Sequence, residues 1–92
     1  MTIDMDTILV PNHECPVREV GTGLVIMAAT GTSTHSLDEV GAFIWRQFDG
    51  QRTLGQVVEA LVAEYDVESV QATADVKAFL AQLIEADLVQ AA

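Results

Sequence analysis

At Ser36 the spacing of apolar residues changes. Upstream, short β-prone runs are broken by Gly-rich turns and alternate with a period of about two. Downstream, Leu37, Val40, Gly41, Ile44 and Phe48 recur at the roughly 3.6-residue period of one helix face. A chain that makes this switch once builds its strands first and its helices second. That is an α+β plan, a small sheet that must bury one face under the helices that follow.

The upstream segment reads "PVREVGTGLVIMAATGTSTHSL". Val17 and Val20 bracket two charges, Gly21-Thr22-Gly23 is a turn signal, and "LVIMAA" is a short apolar run. Thr30-Gly31-Thr32 is a second turn signal, followed by "STHSL". These features predict a three-stranded antiparallel meander. Residues 24–29, apolar on both faces, form its centre, and residues 33–36, polar, form its edge. Residues 1–15 have no clear period and are broken by Pro11, with Pro16 just beyond. They are expected to be a loosely ordered lead-in to a domain spanning 16–92.

Three helices are predicted downstream. Ser36 and Glu39 have the form of a capping box, with Asp38 and Glu39 suited to the positive end of the helix dipole. Gly50 supplies a left-handed residue at the end of this helix. Thr53 and Gln56 repeat the box before the stripe Leu54, Val57, Val58, Leu61, Val62 and Tyr65. A loop near Asp66 precedes a third helix from about Ser69 to Ala86. Val76, Phe79, Leu80, Leu83 and Ile84 form its apolar face. "DLVQAA" then leaves the helix and can fold Leu88 and Val89 back onto the core.

Charge narrows the partners. Four basic residues face fourteen acidic ones, for a net charge of −10. Arg18, Arg46, Arg52 and Lys77 are scattered and form no basic stripe, so neither nucleic acid nor an anionic membrane surface is an expected partner. A peptide carrying Lys or Arg would be attracted. No apolar run has the length of a membrane span, and "MTIDMD" lacks the positive start of a secretory peptide, so a cytoplasmic protein is expected. Cys15 has no partner cysteine, and His13 with Cys15 is too small a ligand set for zinc. No metal or other cofactor is expected.

Ser36 has three readings. As a helix cap it needs only Glu39. As a carrier attachment site it would make this a small acidic acyl-carrier-like protein, since "HSLDEV" is similar to the Asp-Ser-Leu of acyl carriers. Here, though, His35 precedes the serine, and strands stand where a carrier has a helix. As a hydrolase nucleophile it lacks the glycines of a Gly-x-Ser-x-Gly elbow, and neighbouring His35 would point to the opposite face of a strand. The cap is the preferred reading, and no enzyme is expected.

The stretches "LDEVGAFIWRQFDGQRTLGQVVEALVAEYDV" and "DVKAFLAQLIEADLV" resemble the PqqD family, also called RiPP recognition elements. The resemblance is carried by Leu37, Asp49, Gly50, Thr53, Leu61, Asp75, Val76, Phe79, Leu80, Leu83, Leu88 and Val89, and covers about residues 17–90. It departs at Asp38, where family members often carry Asn, and before residue 16, where no family pattern matches. The resemblance implies a winged-helix-like fold and a function without catalysis. Such proteins hold the leader segment of a ribosomally made precursor peptide and present it to a modifying enzyme, often a radical S-adenosylmethionine enzyme, as in pyrroloquinoline quinone (PQQ) or other RiPP biosynthesis. The leader joins as a strand beside the third strand, in a cleft walled by the third helix.

On this sequence the strand is Ser33, Thr34, His35 and Ser36. Its unpaired backbone groups suit an added peptide strand, and alternating side chains give selectivity. His35 projects toward the cleft or toward solvent. Phe79 lies at the side of its helix stripe, with Asp75 four residues before and Gln82 three after, which makes this flank the expected helix wall. Asp75 is either a cleft acid or simply an exposed one. Trp45, one position off the apolar stripe, is expected in the core.

Overall fold

The computed structural model describes residues 3–29, 31 and 33–91. In chain order the elements are β1 (Leu9–Pro11), β2 (Val17–Val20), β3 (Gly23–Met27), β4 (Thr34–Leu37), α1 (Glu39–Gln47), α2 (Leu54–Tyr65), α3 (Ser69–Glu85) and β5 (Val89–Ala91). Strands β2, β3 and β4 form an antiparallel sheet in that order. The sheet is followed by the three helices, as the change of period predicts. None of the described helices is long and apolar enough to cross a membrane.

The two hairpins follow from local chemistry. Val20 pairs with Gly23, leaving a two-residue loop, and Gly21 has a φ of +61° while Thr22 does not turn positive. That is the II′ pattern, whose twist matches the flanking strands. The second turn signal lies partly outside the described residues. Its Gly31 has a φ of +74°, and Gly31 N–H donates to the Ala28 carbonyl at 2.8 Å.

β3 is central, and its Leu24 and Ile26 are buried beneath the helices. Gly23 is required by contact. A Cβ there would sit 2.2 Å from the Leu37 carbonyl oxygen, so only glycine lets β3 start against the end of β4. The helix stripes are close to expectation with two shifts. In α1 the buried residues are Gly41, Ala42, Ile44 and Trp45, with Phe48 following, while Val40 is exposed. In α3 they are Ala72, Val76, Leu80 and Leu83, and Ile84 is exposed. Trp45, as expected, is in the core.

The N-terminal segment departs from the expected loose lead-in. β1 pairs antiparallel with β5, placing Leu9 opposite Ala91 and Pro11 opposite Val89. Leu9 and Cys15 are buried in the core with Leu88 and Val89. Burial of an aliphatic side chain of this size contributes roughly 1.5–3 kcal/mol, which together with the ladder to β5 offsets the cost of ordering the segment. The same segment closes the start of α2. Leu54 N–H donates to the Thr7 carbonyl at 2.8 Å and Gly55 N–H to the Met5 carbonyl at 2.9 Å. Two donors that a helix start leaves free are thereby satisfied from outside the helix.

Candidate functional site

β4 is one of the two edges of its sheet, with no strand on its far side among the described residues. Its register identifies the open backbone groups. His35 pairs with Ile26, Leu37 with Leu24, and Ala28 N–H donates to the Ser33 carbonyl at 2.9 Å. Hydrogen-bonded positions alternate along an antiparallel strand, so residues 33, 35 and 37 bond inward to β3. The N–H and C=O groups of Thr34 and Ser36 therefore point outward from the edge.

Beside this edge lies a cleft of about 450 Å³, lined by Ser36, Leu37, Asp38, Val40, Gly41, Ile44, Asp75, Phe79 and Gln82. Its floor is apolar, made by Leu37 at the end of β4, Val40 and Ile44 of α1, and Phe79 of α3. Gly41 carries no side chain into this space. A Cβ there would lie tightly against Asp38 Oδ1 at 3.3 Å and in ordinary contact with Phe79 Cζ at 3.5 Å. Asp75 accepts a hydrogen bond at 2.8 Å from Gln71 Nε2, one helical turn earlier. No lysine, arginine or histidine lines the cleft.

Ser36 is not the cap of α1. Pairing of Leu37 with Leu24 holds the chain extended through residue 37, so the first residue free to turn is Asp38. Asp38 has cap geometry, with φ −75° and ψ −174°, and its Oδ1 accepts the Gly41 N–H at 2.8 Å. Glu39 is consequently the first helical residue, and the third is Gly41, which has no side chain to complete a box. Ser36 instead sits in mid-strand on the outer face of the sheet, opposite Val25.

Of the residues expected at the site, the structure gathers Ser36, Asp75, Phe79 and Gln82 around one cleft. Ser33 lies just before β4, Thr34 supplies edge backbone, and half-buried His35 shares the helix-covered face with Ile26 without lining the cleft. Leu37, Asp38, Val40, Gly41 and Ile44 were missed. Val40 belongs to the apolar stripe of α1, and nothing in that spacing told it from the core residues; only the structure shows it exposed.

A second depression lies on the other side of α1, bordered by Phe43, Tyr65, Glu19, Glu39, Glu64 and Arg46. Phe43 and Tyr65 meet edge to face at 5.5 Å, and Arg46 is paired with Glu19 at 3.1 Å. Burial, then the charges of Glu39 and Glu64, push the Tyr65 hydroxyl above its ordinary range. This depression borders β2, the other edge strand of the sheet, at Glu19, and its rim is charged where the cleft beside β4 has an apolar floor.

Two solved structures share the fold. A chain described as TbiB1 in complex with the TbiA(beta) leader peptide superposes with a TM-score of 0.80 at 22% identity, covering 88% of this chain and 94% of that one. A lasso peptide synthetase B1 complexed with the leader peptide gives 0.79 at 22% identity, covering 90% and 98%. No curated protein sequence matches the chain. The family model for coenzyme PQQ synthesis protein D matches residues 23–89, from the first residue of β3 to the first of β5, and the chain belongs to that family, PqqD.

Proposed function

We propose that this protein is a non-catalytic peptide-binding chaperone. It captures the leader segment of a ribosomally made precursor as a strand along β4 and presents the rest of that precursor to a modifying enzyme, a radical S-adenosylmethionine enzyme or another. The observation that carries this reading is the open edge of β4 beside an apolar cleft. The outward groups of Thr34 and Ser36 offer main-chain pairing, and Leu37, Val40, Ile44 and Phe79 offer a floor for side chains. The two structural neighbours named above are complexes with leader peptides, which supports the same mode here. The role requires no nucleophile and no cofactor. It belongs in the cytoplasm, where a ribosomally made precursor first appears.

The carrier alternative loses its footing, because Ser36 lies inside β4 and not at a helix start. The test is titration of isotope-labelled protein with a candidate precursor encoded beside it. Amide shifts confined to residues 33–37 and 72–86 are expected. Shifts concentrated on residues 54–64 would put the site elsewhere. Gln82→Ala and Asp75→Asn are suitable probes, since both side chains are exposed and neither change empties the core. Phe79→Ala is not, because loss of a packed aromatic costs roughly 3–5 kcal/mol and threatens so small a fold.

A further inference from the structure

We propose that the cleft reads two side chains of the bound strand, two residues apart, one apolar and one cationic, and leaves the residue between them unread. This rests on the strand-addition reading given above and adds the chemistry of the segment that is chosen.

The spacing comes from the register. Leu24 and Ile26 are buried, so their partners Leu37 and His35 lie on the helix-covered face of the sheet. Thr34 and Ser36 lie on the other face, opposite Met27 and Val25. A strand added to β4 continues the pleat, and its side chains alternate between the same two faces. A side chain level with Leu37 enters the cleft, and one level with His35, two residues away, lies on the same helix-covered face. The residue between them, level with Ser36, projects to the open side of the sheet, where Met27 and Val20 are already exposed to solvent. This holds for either direction of the added strand, because a step of two keeps a side chain on one face in both.

The chemistry comes from the lining. The apolar floor suits one aliphatic or aromatic side chain. The polar part of the wall holds the carboxylates of Asp38 and Asp75 and the amide of Gln82, with no base among them. Among the described residues neither carboxylate is in an ion pair. Asp38 has one oxygen on Gly41 N–H, and Asp75 has one on Gln71. Both keep acceptor capacity that a lysine or arginine of the peptide would fill beside a low-dielectric floor.

The probe is a displayed library of short randomised peptides selected against the full chain. Expected winners carry an apolar residue and a Lys or Arg at a spacing of two, with no preference between them. The net charge of −10 will attract basic peptides without regard to spacing, so a charge swap supplies the control. Selection against Asp75→Lys should replace the base by Asp or Glu at the same place. For one winning peptide, Asp75→Asn should weaken binding about two- to fivefold, the range of an exposed ion pair. Winners that shift the amides of β4 but show basic residues at no fixed spacing, or that keep their preference against Asp75→Lys, would overturn the pair rule while leaving strand addition intact. Winners that shift amides away from β4, or no winners at all, would overturn both.

Discussion

α1 and α2 each begin after a Ser/Thr-x-x-Glu/Gln spacing, and only one of the two spacings operates. At α2, Thr53 accepts the Gln56 N–H at 3.2 Å and the Gln56 side chain accepts the Thr53 N–H at 2.8 Å, a complete box. At α1 the matching pair, Ser36 and Glu39, is set aside, and Asp38 does the capping. The difference lies in what precedes each helix. Residues 49–52 form a loop stitched by Asp49, so Thr53 is free to adopt cap geometry. Residues 34–37 are committed to the ladder with β3, and the helix cannot begin until that ladder ends. A capping box is a local option that strand pairing overrides, because the residues after a cap must be helical, and Leu37, which would follow a Ser36 cap, is held extended by its pairing with Leu24.

The strongest way to break this contrast is Gly23→Ala. The added methyl would collide with the Leu37 carbonyl, forcing apart the junction that keeps residues 36 and 37 extended. We expect a loss of about 1–3 kcal/mol, the range of overpacking strain. Denaturant unfolding measures it, and a loss near zero would mean that this junction does not govern where α1 begins.

Removing each true cap comes next. Asp38→Ala and Thr53→Ala should each cost about 0.5–2 kcal/mol in the same unfolding experiment. Asp38→Ala should also weaken peptide binding, whereas Thr53→Ala, remote from the cleft, should not. Ser36→Ala is the sharper control. A serine cap would make it as costly as Asp38→Ala, but a mid-strand serine exposed on the outer face should change stability by less than about 0.5 kcal/mol.

The smallest effect concerns pH. The backbone N–H groups of Arg52 and Gln51 donate to Asp49 and hold its carboxyl below the ordinary value of 3.8. A folded-state value below the unfolded one gives a contribution that is complete above the unfolded value and is lost as pH falls through the folded one. The approach to α2 should therefore loosen in acid, below about pH 4, while Asp49→Asn removes that part of the dependence. Carboxyl chemical shifts followed through an acid titration read it directly, and an Asp49 midpoint at or above 3.8 would contradict it.

Much of the site was legible because its parts are local. The family resemblance pointed to the third helix as a wall, helical spacing then picked out its flank bearing Asp75, Phe79 and Gln82, and the edge character of β4 follows from its polar residues. The other wall was not legible. Whether Val40 and Ile44 face the core or the cleft depends on how α1 is rotated in the fold, which its spacing alone does not set; the structure leaves Val40 exposed and Ile44 buried, with both lining the cleft.

The sequence by itself determined the order of strands and helices, the turn at Gly21, the Thr53 box, the acidic surface and the return of Leu88 and Val89 to the core. Each depends on residues within a turn or two of one another, or on simple counting. Tertiary structure alone decided the pairing of β1 with β5, the choice of Asp38 over Ser36, and the need for glycine at position 23. β1 carries almost no periodic signal in its three residues, and its partner lies at the opposite end of the chain. Such pairings form because two short apolar segments find room on the same core, and that room exists only once the helices have been assembled around it.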